Sequence, residues 1–122
     1  MKRLIFLILF FGFFIQLTGC ISKNEVELYP CDTNNLSYAK HIRPIIQANC
    51  YKCHDVNNAV IFANGNYLDD YDNLKAHIRN GLVIGNIEHA PNFLAMPKGA
   101  PKLGDCDIAK IKAWVHQDTL NN

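Results

Sequence analysis

The sequence predicts an all-α domain with long loops in its middle. Two stretches with helical periodicity stand near its two ends. In "SYAKHIRPIIQANC", Ile42, Ile45, Ile46 and Cys50 fall near one face; in "CDIAKIKAWVHQDTL", Ile108, Ile111 and Trp114 or Val115 recur over about three turns. The third observation is what lies between them. From Leu82 to Asp105 the chain carries Gly85, Gly99 and Gly104 and three prolines, which excludes a long helix there. No βαβ pattern, internal repeat or second domain is visible in the 122 residues.

Taken in order, the chain opens with Met1-Lys2-Arg3 and then the apolar run Leu4–Leu17, fourteen residues that are short for a membrane span and suited to a secretory signal. The tetrad "LTGC" that follows resembles the lipobox of bacterial lipoproteins. The resemblance implies cleavage before Cys20, a lipid on its thiol, and a place in the periplasm or on the outer face of a membrane. Residues 1–19 are therefore read as a lipoprotein signal peptide, 20–35 as a lipidated tether and lead-in, and 36–122 as the domain. Loss of Lys2 and Arg3 leaves ten Lys+Arg against eleven Asp+Glu, so the mature chain is close to neutral. No basic cluster interleaved with aromatics remains, and nucleic-acid binding is excluded as a function class.

Ser37 is placed to cap the first helix. Pro44 is tolerated only near a helix start, so either the turn before it is separate or the main helix begins near Arg43. After His54, "DVNNAVIFANGNYL" reads as loop, with "AVIFA" a short strand or an apolar loop segment. Asp69 or Asp70 caps a helix carrying Tyr71, Leu74, His77 and Ile78, and Asn80-Gly81 stops it. Asp105 is expected to cap the last helix.

The chemistry concentrates in "CYKCH", Cys50 to His54. Two thiols and an imidazole in five residues allow four readings. Zinc needs four ligands, and the second half of a paired motif is absent. A thioredoxin-like dithiol sits at a helix start, whereas this one follows a helix. A plain disulfide between Cys50 and Cys53 leaves His54 idle. Covalent c-type haem attachment uses all three residues: two thiols on one porphyrin edge and the next histidine on iron. Haem iron in an electron-transfer site takes a sixth ligand, and with Met1 removed Met96 is the remaining thioether. His77 and His89 compete for that position; His41 and His116 read as surface residues.

The helix entering "CYKCH", the loop "FLAMPKGAPKL" and a closing helix with Trp114 together resemble monohaem class I cytochromes c, and most closely the small domains of Bacteroidetes-type cytochrome c lipoproteins. The resemblance spans roughly residues 36–117. It implies a small cytochrome c fold of three or more helices around one covalent haem c, with first and last helices crossing. Cys50 and Cys53 would be the attachment residues, His54 the proximal ligand and Met96 the distal one. It also implies one-electron transfer without catalysis; an open distal site, by contrast, would suit a gas sensor or peroxidase-like domain. The family's proline after the histidine, whose carbonyl takes the imidazole proton, is missing from "HDVNNAV", so the acceptor is expected among the carbonyls of residues 55–59 or water. Ala39, Ile42 or Ile46 should meet Ile111 and Trp114 at the crossing, and Asn80, Trp114 or Tyr67 should reach the propionates. With two thiols used by haem, Cys31 and Cys106 are left to pair with each other. Lys52, Lys98 and Lys102 bracket the ligand segments and would steer an acidic redox partner.

Overall fold

The structure, a computed structural model, describes residues 30–122. The signal segment, Cys20 and the tether up to residue 29 lie outside the described residues. Among the described residues every regular element is helical: a π-helical turn (Tyr38–Ile42), α1 (Arg43–His54), α2 (Ala59–Phe62), α3 (Tyr71–Arg79), α4 (Leu82–Ile87) and α5 (Asp105–His116).

Pro44 explains the unusual start. It carries no N–H, so the turn before it closes with wider bonds, Ile42 N–H to the Ser37 carbonyl and Arg43 N–H to that of Tyr38. Regular α1 then begins at Arg43 with Pro44 inside its first turn. The first turn is thus separate and the main helix starts at Arg43. Ser37 caps the turn through its hydroxyl oxygen, which accepts from Lys40 N–H at 3.4 Å.

The remaining elements follow local chemistry more closely. Asp70 accepts Asn73 N–H at 3.0 Å and starts α3. Asn80 ends it, and Gly81, at φ 80°, makes the left-handed step into α4. Two expectations are corrected. "AVIFA" is a single helical turn rather than strand or loop, because Asn58 opens it and only Ala59 faces the core. At α5 the capping position is Gly104, with no side-chain cap bond; Asp105 and Asp107 sit within the first turn, where their charge suits the helix dipole.

The core joins both ends of the domain. Ile42, Ile46, Leu74, Ile111 and Trp114 are fully buried, with Tyr38, Ile78, Val83, Ile87 and Ile108 around them. The crossing of first and last helical segments lies at the π-helical turn, where the Tyr38 ring stacks on Trp114 with centroids 5.7 Å apart, and Tyr71 meets both rings edge-on. Ile42 lies in that turn, and it and Ile46 of α1 share one buried cluster with Ile111 and Trp114, while Ala39 is exposed and contributes only its N–H.

That N–H leads to a feature of the tail. Helix starts leave backbone donors without partners, and here residues after α5 supply the acceptors. Asn122 takes Tyr38 N–H on its side-chain oxygen at 3.0 Å and Ala39 N–H on its carbonyl at 2.9 Å. Gln117 takes Leu36 N–H at 2.9 Å. A reversal through Asp118 and Thr119, both at positive φ, brings the tail back, and the Leu120 carbonyl accepts the Trp114 indole N–H at 3.0 Å.

Cys31 is bonded to Cys106, with Cα atoms 5.5 Å apart and a sequence separation of 75, fastening the lead-in to the first turn of α5.

Trp114 joins the three-ring cluster to the tail, so Trp114→Ala should lower the unfolding free energy by about 3–5 kcal/mol, measured by chemical denaturation. A loss below about 1 kcal/mol would contradict its place as the centre of this core.

Candidate functional site

The site begins at the C-terminal end of α1, which carries Cys50, Cys53 and His54 on its last two turns. Both cysteines are unbonded and half-buried. Burial pushes the Cys50 thiol up to about 11. That is the reverse of what a redox dithiol needs, since such thiols are activated by lowered pKa at helix starts. A zinc site also fails on the chain's own chemistry, because Cys31 and Cys106 are consumed by each other.

The histidine is held from behind. Its Nδ1 lies 2.8 Å from the carbonyl of Asn66. A carbonyl only accepts, so Nδ1 carries the proton and Nε2 keeps its lone pair for a metal. The acceptor therefore differs from the expected carbonyls of residues 55–59, and local structure explains why. Three of those carbonyls are used near at hand: that of Asp55 accepts Asn58 and Ala59 N–H, that of Asn58 accepts Ile61 and Phe62 N–H, and that of Ala59 accepts Ala63 and Gly65 N–H. After α2 the chain reverses through Asn64 and Gly65, at φ 52° and 76°, which presents Asn66 to the ring. Leu68 N–H then bonds the His54 carbonyl at 2.8 Å, closing the segment onto the histidine a second time. "ANGN" signals a turn in the sequence, but no local pattern names the residue the turn serves.

Met96 is placed by a different element. It is half-buried in the loop after α4. Its N–H bonds the Asn86 carbonyl at 3.0 Å, and its own carbonyl lies 3.1 Å from Nε2 of His89, which donates to it. His89 is thus engaged with the methionine's backbone through the nitrogen that a rival iron ligand would use. Leu94 N–H bonds the side-chain oxygen of Asn86 at 3.1 Å. Asn86 was not singled out by the sequence, where it lies in the glycine- and proline-rich stretch read as loop; the short helix α4 places it. Gly85 is buried against the Phe93 ring, and a Cβ there would run into the ring.

The propionate candidates narrow. The Trp114 N–H is given to Leu120 inside the core, which removes it from that role. The side-chain oxygen of Asn80 accepts Leu82 N–H at 3.0 Å. Lys102 is paired with Asp105 at 3.0 Å, while Lys52 and Lys98 are exposed.

A group of large apolar side chains stays exposed on the segments that follow His54 and precede Met96: Val56, Val60, Ile61, Phe62, Phe93 and Leu94, between 42 and 74%. Two free thiols at the attachment spacing, a histidine with Nε2 available, and uncovered apolar flanks fit a covalently held haem.

A family profile described as cytochrome c matches residues 40–118. The chain belongs to the cytochrome c family. No curated protein and no solved structure matches it. This cytochrome c is an electron-transfer protein with covalent haem c, all-α in fold, and it carries electrons rather than converting a substrate. An extracytoplasmic location accompanies that membership. Its profile match takes in α1 to α5 and the Met96 loop, and stops short of Cys31 and the last tail residues.

Gly85 offers a test of how the Met96 loop is packed. Gly85→Ala should be neutral or destabilising in the wild-type protein, but stabilising by about 0.5–1 kcal/mol in Phe93→Ala, where the helix preference for alanine is no longer opposed by the ring. Equal effects in both backgrounds, measured by denaturant unfolding, would show that ring and glycine are not coupled.

Proposed function

We propose that the protein is a one-electron carrier anchored at a membrane surface, with Cys50 and Cys53 as the haem-attachment residues, His54 as proximal ligand through Nε2 and Met96 as the ligand on the opposite side. The observation that carries this reading is the Nδ1 bond of His54 to Asn66. It fixes the ring orientation and the tautomer, and leaves on Nε2 the lone pair that a metal would take. The bound haem supplies the Fe(III)/Fe(II) couple.

What the chain contributes is position and dielectric. Two thiols on consecutive turns of α1 hold one edge in register with the histidine that follows them. The apolar side chains at residues 56–62 and 93–94 keep water from the faces they cover. A thioether opposite an imidazole favours the reduced state relative to two imidazoles. None of these groups is an acid or base placed to move a proton on a substrate, in keeping with electron transfer alone.

The anchor is Cys20. Nine residues lie between it and Pro30, and a chain of that length spans at most about 33–36 Å. The redox partner proposed is acidic at its docking face. Lys52 and Lys98 are the exposed cations flanking the two ligand segments, and Lys102 contributes less because Asp105 compensates it.

Two outcomes follow. In the haem-loaded protein, Met96→Ala should abolish the methionine-to-iron charge-transfer band and lower the reduction potential; an unchanged spectrum would remove Met96 from the iron. Cys20→Ser should shift the protein from the membrane fraction to the soluble one in the producing cell. Retention at the membrane to the wild-type extent would end the lipid-anchor reading.

A further inference from the structure

We propose that Asn86 and His89 are the positioning residues of the Met96 loop, acting as a two-point latch at the end of α4. This rests on the reading of Met96 as an iron ligand and extends it to what keeps that ligand in place.

Packing alone is a poor hold for this loop. Residues 91–95 are all exposed, with Leu94 at 72% and Phe93 at 42%. What fastens the segment is polar. The side chain of Asn86 accepts Leu94 N–H at 3.1 Å, two residues before the methionine, and its carbonyl accepts Met96 N–H at 3.0 Å. His89 Nε2 donates to the Met96 carbonyl at 3.1 Å. Both peptide groups of the methionine are therefore tied to one short helix end.

That helix end is itself secured. Val83, Gly85 and Ile87 are buried, and Glu88 bonds Lys112 of α5 at 2.7 Å. His89 stands at φ 53°, a conformation uncommon for residues other than glycine, which turns the chain out of α4 while its ring reaches back to the loop. A loop that rests on a rigid helix through hydrogen bonds presents its methionine in one position. Loss of a bond lets the methionine leave more often, and a competing ligand then gains by the same factor.

Imidazole binding to the oxidised, haem-loaded protein reads this directly, because imidazole must displace the sixth ligand. Asn86→Ala and His89→Ala should each raise imidazole affinity about 3- to 10-fold, the range set by the net worth of one hydrogen bond. Asn86→Asp retains the acceptor oxygen and should return affinity to within about 2-fold of wild type. In a Met96→Ala background neither alanine variant should change imidazole affinity further, since the pair acts through the methionine. Unchanged affinity in both single variants overturns the latch. So does an equal gain in the Met96→Ala background, which would mean general loosening of the site. If Met96→Ala itself leaves the charge-transfer band and imidazole affinity as in wild type, ligation by Met96 fails, and the latch falls with it. A silent latch beside a responsive Met96→Ala removes the latch alone.

Discussion

His54 is held through one ring nitrogen, Nδ1, on the carbonyl of Asn66, which leaves the lone pair of Nε2 unused. The course of the chain from residue 55 to residue 68 is arranged around it. The short turn α2 and its lead-in engage the carbonyls of Asp55, Asn58 and Ala59, the left-handed pair Asn64 and Gly65 reverses the direction, and Leu68 returns to the His54 carbonyl. Each of these steps costs conformational freedom without adding much core, since Val60, Ile61 and Phe62 remain outside. Their exposure makes sense when the segment is seen as support for a cofactor site rather than as part of the main core.

The main core lies where the ends of the domain meet. Tyr38, Tyr71 and Trp114 form one aromatic cluster, and the isoleucines of α1 and α5 close around it. A domain of this size buries a modest fraction of its surface, and covalent links compensate for that. The Cys31–Cys106 disulfide fastens the lead-in to α5. The tail after α5 does the same work with hydrogen bonds, satisfying the donors at the start of the first helical turn through Gln117 and Asn122.

Much of this was legible in advance because it is local. Helix periodicity marked α1 and α5, Asp70 and Gly81 marked the limits of α3, and Pro44 marked a discontinuity whose form, a π-helical turn, follows from its missing N–H. What was misread was also local in appearance and tertiary in cause. "AVIFA" has the composition of a strand, but it lies between two segments committed to His54 and is wound into one turn. Trp114 looked free to reach a propionate, yet its N–H is given to a tail whose path depends on two left-handed residues, Asp118 and Thr119. His89, by contrast, was expected to serve either as a rival ligand or in a structural role, and its ring is turned onto the Met96 carbonyl.

The amino-acid sequence by itself determined which reactive groups are available: the thiol spacing and adjacent histidine of Cys50 to His54, the thioether of Met96, and the further cysteines Cys31 and Cys106. These depend on residue identity and short spacing, which a linear chain displays directly. The tertiary structure decided which group serves which. Asn66 rather than a nearer carbonyl holds His54, Asn86 and His89 carry the loop of Met96, and Asn122 completes the first helical turn. Partners for hydrogen bonds over such distances in sequence are chosen by where the backbone has turned, and any residue's carbonyl would serve equally well once it is brought into place.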